Sequence, residues 1–380
     1  MKSVTAIAVV CITLNVAADS AWAGLRAGAA VVDVTPKTFP VLVNGGMLSR
    51  SADSVKTPVN ARAIVLDDGH ERLAIVVVDS CMMPRPLLDD AKALAALRTQ
   101  IRADRMMISA THTHSAPSSL ACLGTDADPD YVPYLREKLA EAIAAAEANL
   151  EPARVGWAVG NAAEFTALRR WVRRPDRIDV DPFGNRTVRA NMHAANNWDD
   201  VTGESGPEDP DLSLISIQSL DGRPIAVLAN FSMHYFSDQP LSADYFGLFC
   251  EGLKSELAAD GDADHPPFVG IMSHGCSGDI WRRDYTRPAP DPAPTIDDYA
   301  AGLVKIAVAA YRSIEYDEDA TLAMAESRLK LNHRVPSVQR IEWAQRVVDA
   351  MGGRPPQTRA EERRRGQESR HQRGPTHEEA

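Results

Sequence analysis

The residues best suited to chemistry are His112 and His114, in the run Ile108-Ser109-Ala110-Thr111-His112-Thr113-His114-Ser115-Ala116-Pro117. The run opens on an apolar stretch, Met106-Met107-Ile108, and leaves through a turn-rich loop, Ser115 to Ser119. That is the outline of a buried strand that delivers polar side chains at its C-terminal end. In a strand, alternate residues share a face. His112 and His114 are therefore expected to project together, with Thr111 and Thr113 opposite. Two imidazoles so placed suit a metal ligand with a neighbouring group for proton transfer or oxyanion contact. The plainer alternative is two histidines on a solvated loop. His234 follows a second strand, Pro224 to Phe231, again at a strand end, where open α/β sheets bind ligands; its plainer reading is a satisfied, partly buried histidine. A zinc site needs three or four N, O or S donors, and His112 with His234 supply two.

A third strand-end motif is Ser273-His274-Gly275-Cys276-Ser277-Gly278-Asp279, after the short strand Phe268 to Met272. As a nucleophile elbow, GxSxG, it carries Asp279 in place of the last glycine. A Cys276–His274 dyad would join residues two apart in one turn, which seldom orient correctly. Arg169, Arg170, Arg173 and Arg174 cluster around Trp171. They form either a solvated face or a pocket wall in which one guanidinium stabilises an oxyanion or orients a polar headgroup.

The elements that must position these residues follow from periodicity and turn signals. Ala29 to Thr35 reads as a strand stopped by Pro36, and Gly45-Gly46 begins a loop free to line a pocket. Ala61 to Leu66 and Leu73 to Val78 flank Asp67-Asp68-Gly69-His70, a hairpin signal. The second of these strands shows no alternation, so both its faces are expected to be buried. Leu87 to Ile101 and Tyr131 to Leu150 are amphipathic helices, and Ala153 to Ala158 is a strand. Periodicity is lost from Glu164 to Gly206. A second hairpin joins Leu212 to Gln218 with Pro224 to Phe231 through Asp221-Gly222. Helices are expected at Tyr245 to Ala259, Ile296 to Arg312 and Ser337 to Met351, with a strand at Thr321 to Leu331. No internal repeat is evident.

Residues 1–23 read as an export leader: Lys2, an apolar run Ala6 to Leu14, and the small-x-small site Ala21-Trp22-Ala23. No later run of about 20 apolar residues would span a membrane. A net charge of −11 argues against nucleic acid as a partner and against electrostatic attraction to anionic membranes. The hydrophobic content of 44% supports a substantial core. Cys81, Cys122, Cys250 and Cys276 are widely spaced with no CxxC pair, and no pairing is assigned. Residues 353–380 contain no Ile, Leu, Val, Met, Phe, Tyr or Trp, and are expected to be disordered. The division is thus a leader at 1–23, a catalytic region at 24–352 and an Arg/Glu-rich tail at 353–380, in an α/β chain.

Taken in order, the motifs resemble the N-terminal catalytic region of the neutral/alkaline, non-lysosomal ceramidase family, from about Ala30 to Met351. They are Val32-Asp33-Val34-Thr35-Pro36, Val77-Val78-Asp79, Thr111 to Pro117, Arg169-Arg170, Asn230 to His234 with Ser242-Ala243-Asp244-Tyr245, and Ser277-Gly278-Asp279. The stretch THTHSAP is similar to the family's THTHSGP. The resemblance implies layered mixed β-sheets flanked by helices. It also implies a secreted or periplasmic zinc-dependent amidase that cleaves the N-acyl bond of ceramide or a related N-acyl lipid. By motif, His112 and His234 resemble two zinc ligands, His114 the histidine that contacts the reacting group, and Arg169, or Arg170 beside it, the pocket arginine. Zinc brings its bound water to a pKa of about 7 and polarises the carbonyl. Trp281 stands where well-studied members have a serine two residues after the Asp, which points toward the broader ceramidase-like bacterial hydrolases. The family's glutamate and tyrosine zinc ligands lie in downstream motifs that are not found here, nor is an Ig-like sandwich. The resemblance therefore leads us to expect a C-terminally truncated or frameshifted member. A non-catalytic, lipid-binding remnant is the alternative.

Overall fold

The computed structural model describes residues 24–350 and 352, apart from 47–48, 182–183, 259–263 and 334. The leader and the tail expected from the sequence lie outside these residues. Eight strands make the main sheet: β1 Arg26–Asp33, β2 Asn60–Asp67, β3 Arg72–Val78, β4 Met106–Ala110, β5 Glu151–Asn161, β6 Asp211–Ser219, β7 Pro224–Phe231 and β8 Val269–His274. Their order is β8-β7-β6-β5-β1-β2-β3-β4. Among the described residues five α-helices accompany them: α1 Arg85–Ala96, α2 Tyr131–Ala148, α3 Asp244–Leu257, α4 Ile296–Tyr311 and α5 Val338–Ala350.

The topology is duplicated. β1/β2 and β2/β3 are antiparallel and β3/β4 parallel; β5/β6 and β6/β7 are antiparallel and β7/β8 parallel. In each half a helix (α1 or α3) links the parallel pair, and a second (α2 or α4) follows. The halves are joined by two register pairs only, Arg26 with Pro152 and Ala27 with Glu151. The sequence carries no repeat because the duplication is one of topology and layer order, which different apolar residues satisfy equally well.

The two half-sheets pack face to face, each with its helices outside. Ala29, Ile64, Val77, Ile217, Ile225 and Ile271 fill the layer between the sheets. α1 and α2 cover the first half-sheet with Leu87, Ala91, Leu135, Leu139 and Ile143, spaced at i, i+4 on their helices. α3 and α4 cover the second with Phe246, Phe249, Tyr299 and Leu303. This explains the unbroken apolar run of β3: Val76 and Val78 face the helices, while Val77 faces the other sheet. α4 starts in a capping box, in which the Thr295 hydroxyl accepts from Asp298 N and the Asp298 carboxylate accepts from Thr295 N.

Three expectations are corrected. The strand expected at Thr321 to Leu331 does not form; this stretch runs without sheet pairing, and Leu329 and Leu331 are exposed. The segment from Glu164 to Gly206 is not irregular throughout. Arg170–Arg173 pairs with Ala190–Met192 and Val201–Glu204 in a small sheet, whose strands are too short to show a period. α1 stops at Ala96 rather than Ile101, and the Thr99 hydroxyl donates back to the Ala95 carbonyl at 2.9 Å. The expected helix at the end is present as α5, with no residue buried. Cys81, Cys122, Cys250 and Cys276 are all free.

One buried ion pair holds the strand ends beneath the histidines. Asp79, just past β3, accepts from Asn60 N at 2.9 Å and from the Arg62 guanidinium at 2.6 Å. Both side chains are almost wholly buried, at 3% and 0% exposure. Removing one partner strands the other charge, which costs about 3–5 kcal/mol. Asp79→Ala is therefore expected to lose that much in chemical denaturation, and the double change Arg62→Met/Asp79→Leu distinctly less. A single-variant loss under about 1 kcal/mol would show that the pair is not desolvated as described.

Candidate metal centre

Because β3/β4 and β7/β8 are parallel, four strands deliver their C-terminal loops to one edge of the stacked half-sheets. The loops interlock. The Thr113 hydroxyl donates to the Ser242 carbonyl at 3.0 Å, and Ser242 N donates to the Ser115 carbonyl at 2.9 Å. Gly275 lets the loop after β8 cross β7, since a Cβ there would meet the Ser232 hydroxyl at 2.3 Å.

His112 lies beyond the end of β4 in the left-handed region, at φ 69°. The period-two argument that placed His112 and His114 on one strand face is therefore corrected: the strand has already ended. A non-glycine residue in this conformation is strained and needs support. It has that support from its own N–H, which donates to the Ser80 carbonyl at 2.8 Å, and from its ring, whose Nδ1–H donates to the Cys81 carbonyl at 2.8 Å. The proton on Nδ1 leaves the Nε2 lone pair facing inward. His234 is held the same way, with Nδ1 donating to the Ser277 carbonyl at 3.0 Å. His114 brings its Nε2 to 3.1 Å from Nε2 of His112 and stacks on Tyr235 at 3.8 Å between ring centres. Gly45, at φ 103°, presses on this ring; a Cβ there would meet its Cγ at 2.6 Å. The loop expected to line a pocket thus packs on His114 instead, and Arg50 beside it donates to the His114 carbonyl.

His112, His114 and His234 therefore meet, with ring centres 4.7, 4.8 and 5.1 Å apart. Arg169 also reaches the cluster. It is buried, its guanidinium donates to the Gly278 carbonyl at 2.8 and 3.3 Å, and it lies 5.6 Å over the Trp281 ring. Arg170 is exposed. The residue that sequence reasoning undervalued is His274, the last of β8, weighed there only as a partner for Cys276. Its ring centre is 5.3 Å from that of His112 and 6.4 Å from that of His234. Its Nε2 meets the Ser277 hydroxyl, while its buried Nδ1 makes no well-formed hydrogen bond. Cys276 is exposed, and no dyad with His274 forms. The signal that could have found His274 was its place at a strand end, the same signal used for His234.

Burial is the chief cause of the electrostatics. It pushes His114 and His274 down to about 3 and His234 to about 4. Neighbouring imidazoles act in the same direction on all three, and Arg169 on His114 and His234. His114, His234 and His274 are therefore neutral at physiological pH, as ligation requires.

The spacing of the histidine rings is compatible with a shared metal ion. Imidazoles sharing a tetrahedral zinc at about 2.0–2.1 Å place their ring centres about 5 Å apart, as here. A different trio, Cys81 with His112 and His114, brings its ligand atoms within 4.8 Å of one another. The ring orientation favours the histidines. The Cys81 sulfur is 3.8 Å from Nδ1 of His112, the nitrogen already committed to a carbonyl, and burial pushes its thiol up to about 12. A cavity of about 490 Å³ adjoins the centre, with His112, His234 and His274 on one wall and Met82, Met83 and Leu88 on another.

No family model matches the chain. Two solved structures do match in fold. The crystal structure of neutral ceramidase from Pseudomonas aeruginosa superposes with a TM-score of 0.57 at 17% identity, over 76% of this chain and 45% of that one. A ceramidase complexed with C2 superposes at 0.56 and 17% identity, over 77% and 44%. The chain shares the neutral ceramidase fold. It spans less than half the length of either ceramidase chain. On this ceramidase-like framework the histidines come from the ends of β4, β7 and β8. The expected layered mixed sheets flanked by helices are what is seen. Among the described residues no helix is long and apolar enough to cross a membrane.

The depressed histidines make stability depend on pH. Between about pH 6.5, where unfolded histidine titrates, and the folded values of about 3 to 4, the unfolded chain binds more protons, so stability falls as pH falls. Metal-stripped protein is expected to lose Tm steadily from pH 7 to pH 4.5, and replacing His114, His234 and His274 together by Gln should flatten that slope. An unchanged slope in the triple variant would show that other groups carry it.

Proposed function

We propose that this chain is an exported zinc-dependent amidohydrolase that cleaves the N-acyl amide bond of ceramide or a related N-acyl lipid. The observation that carries the reading is the meeting of His112, His114 and His234 at one edge of a neutral ceramidase fold. In this reading His112 and His234 ligate zinc through Nε2, each with Nδ1 tied to a backbone carbonyl. Bound zinc would supply a Lewis acid for the amide carbonyl and a water acidic enough to attack at neutral pH. His114, neutral at that pH, hydrogen-bonds the reacting group beside the metal. Arg169 contributes a fixed positive charge where the carbonyl oxygen becomes negative. Water adds to the amide carbon, the C–N bond breaks, and a fatty acid and an amine leave. The apolar wall of Met82, Met83 and Leu88 suits an acyl chain. Export, to the periplasm or beyond, is supported by the leader-like residues 1–23.

A second reading is a lipid-binding protein without turnover. It is favoured by one observation: no carboxylate is among the described residues lining the cavity to serve as a general base. Fatty-acid release from N-acyl sphingosines, with zinc content measured on the same samples, separates the two. The amidase reading predicts release by the zinc-loaded chain, loss of it on chelation, and a fall of at least about 100-fold in His112→Ala with reduced zinc. Ceramide binding with no release from zinc-loaded protein would favour the second reading. Release that survives both chelation and His112→Ala would overturn the zinc assignment.

A further inference from the structure

We propose that His274 is a third imidazole ligand of this centre, completing from β8 a donor set begun by His112 and His234. The proposal rests on the reading of the site as a zinc centre and goes beyond the ligands that reading names. Three observations support it. First, His112, His234 and His274 line the same cavity, whereas His114 packs on Tyr235 and is not part of its lining. Second, the ring centre of His274 is 5.3 Å from that of His112, close to the spacing of about 5 Å that a shared tetrahedral zinc imposes, and 6.4 Å from that of His234, a gap that must close by about 1.4 Å on binding. Third, Nδ1 of His274 is buried and makes no well-formed hydrogen bond, with a backbone group of Thr111 beside the ring, so a ligand would improve on its present environment.

The carboxylates nearest in sequence are poor competitors. Both oxygens of Asp244 are already engaged, accepting from Phe236 N, Ser237 N and Tyr245 N at 2.8–3.0 Å. Asp279 is half-buried and does not line the cavity. Ser277 becomes the positioning residue of the arrangement. Its carbonyl fixes the His234 tautomer and its hydroxyl meets Nε2 of His274, so one residue orients two rings.

Cobalt titration of the metal-stripped full chain, read by visible absorption, tests this without recourse to activity. Wild type is expected to bind one equivalent with the intense bands of tetrahedral cobalt. His274→Ala should bind at least about 100-fold more weakly with an altered spectrum, since loss of second-shell partners alone costs about 10–100-fold. His274→Cys should regain binding and add a thiolate-to-cobalt charge-transfer band, while His70→Ala, on the exposed β2–β3 turn, should match wild type. If His274→Ala does not fold, judged by circular dichroism, His274→Gln takes its place with the same expected weakening. Binding and spectrum equal to wild type in the Ala or Gln variant would overturn the role of His274 and leave the zinc reading standing. Failure of wild type itself to bind cobalt or zinc would overturn both.

Discussion

The parallel hydrogen bonding of β3 with β4, and of β7 with β8, forces four strand ends toward one edge, and the packing of the two half-sheets brings those ends together. The rest of the site depends on this constraint. Cys81 and His234 each stand three residues beyond their strands, which end at Val78 and Phe231, and His112 and the loop after His274 follow the partner strands. Each half contributes a carbonyl that receives an imidazole proton: Cys81 for His112 and Ser277 for His234. Two rings are thus set in one tautomer by backbone that the sheets hold rigid.

The second consequence is electrostatic. Burial beside neighbouring imidazoles makes protonation of His114, His234 and His274 unfavourable, with Arg169 adding to the effect on the first two, so these three rings are neutral at physiological pH. Among the described residues that line the cavity there is no carboxylate to offset a proton. A neutral, desolvated set of nitrogens is costly to leave empty and well suited to a divalent cation. The Arg169 guanidinium is held by two bonds to the Gly278 carbonyl, and its charge acts on His114 and His234.

Much of this was legible in the sequence. The Asp-Gly turns marked both hairpins, and β3 announced its two buried faces by its lack of alternation. The apolar run at Met106 marked β4, although its alternation was carried past Ala110, where the strand ends, and the helices were placed to within a few residues at most ends. What could not be read were features created by tertiary contact. The left-handed turn at His112 is stabilised by Ser80 and Cys81, which are distant in sequence. The duplicated topology leaves no residue pattern. The small sheet around Trp171 has strands of three or four residues, below the length at which alternation is informative. His274 was visible but read against Cys276, its near neighbour, because only the β7/β8 pairing places it beside the other histidines.

The central claim is that this edge of the fold is an imidazole metal centre. Zinc K-edge X-ray absorption on the purified, zinc-loaded chain tests it most directly. The account predicts a first shell of nitrogen or oxygen scatterers at about 2.0–2.1 Å, with the outer-shell multiple scattering of three imidazoles. A sulfur scatterer at about 2.3 Å would instead place Cys81 in the coordination sphere, and a spectrum without imidazole scattering would contradict the account altogether.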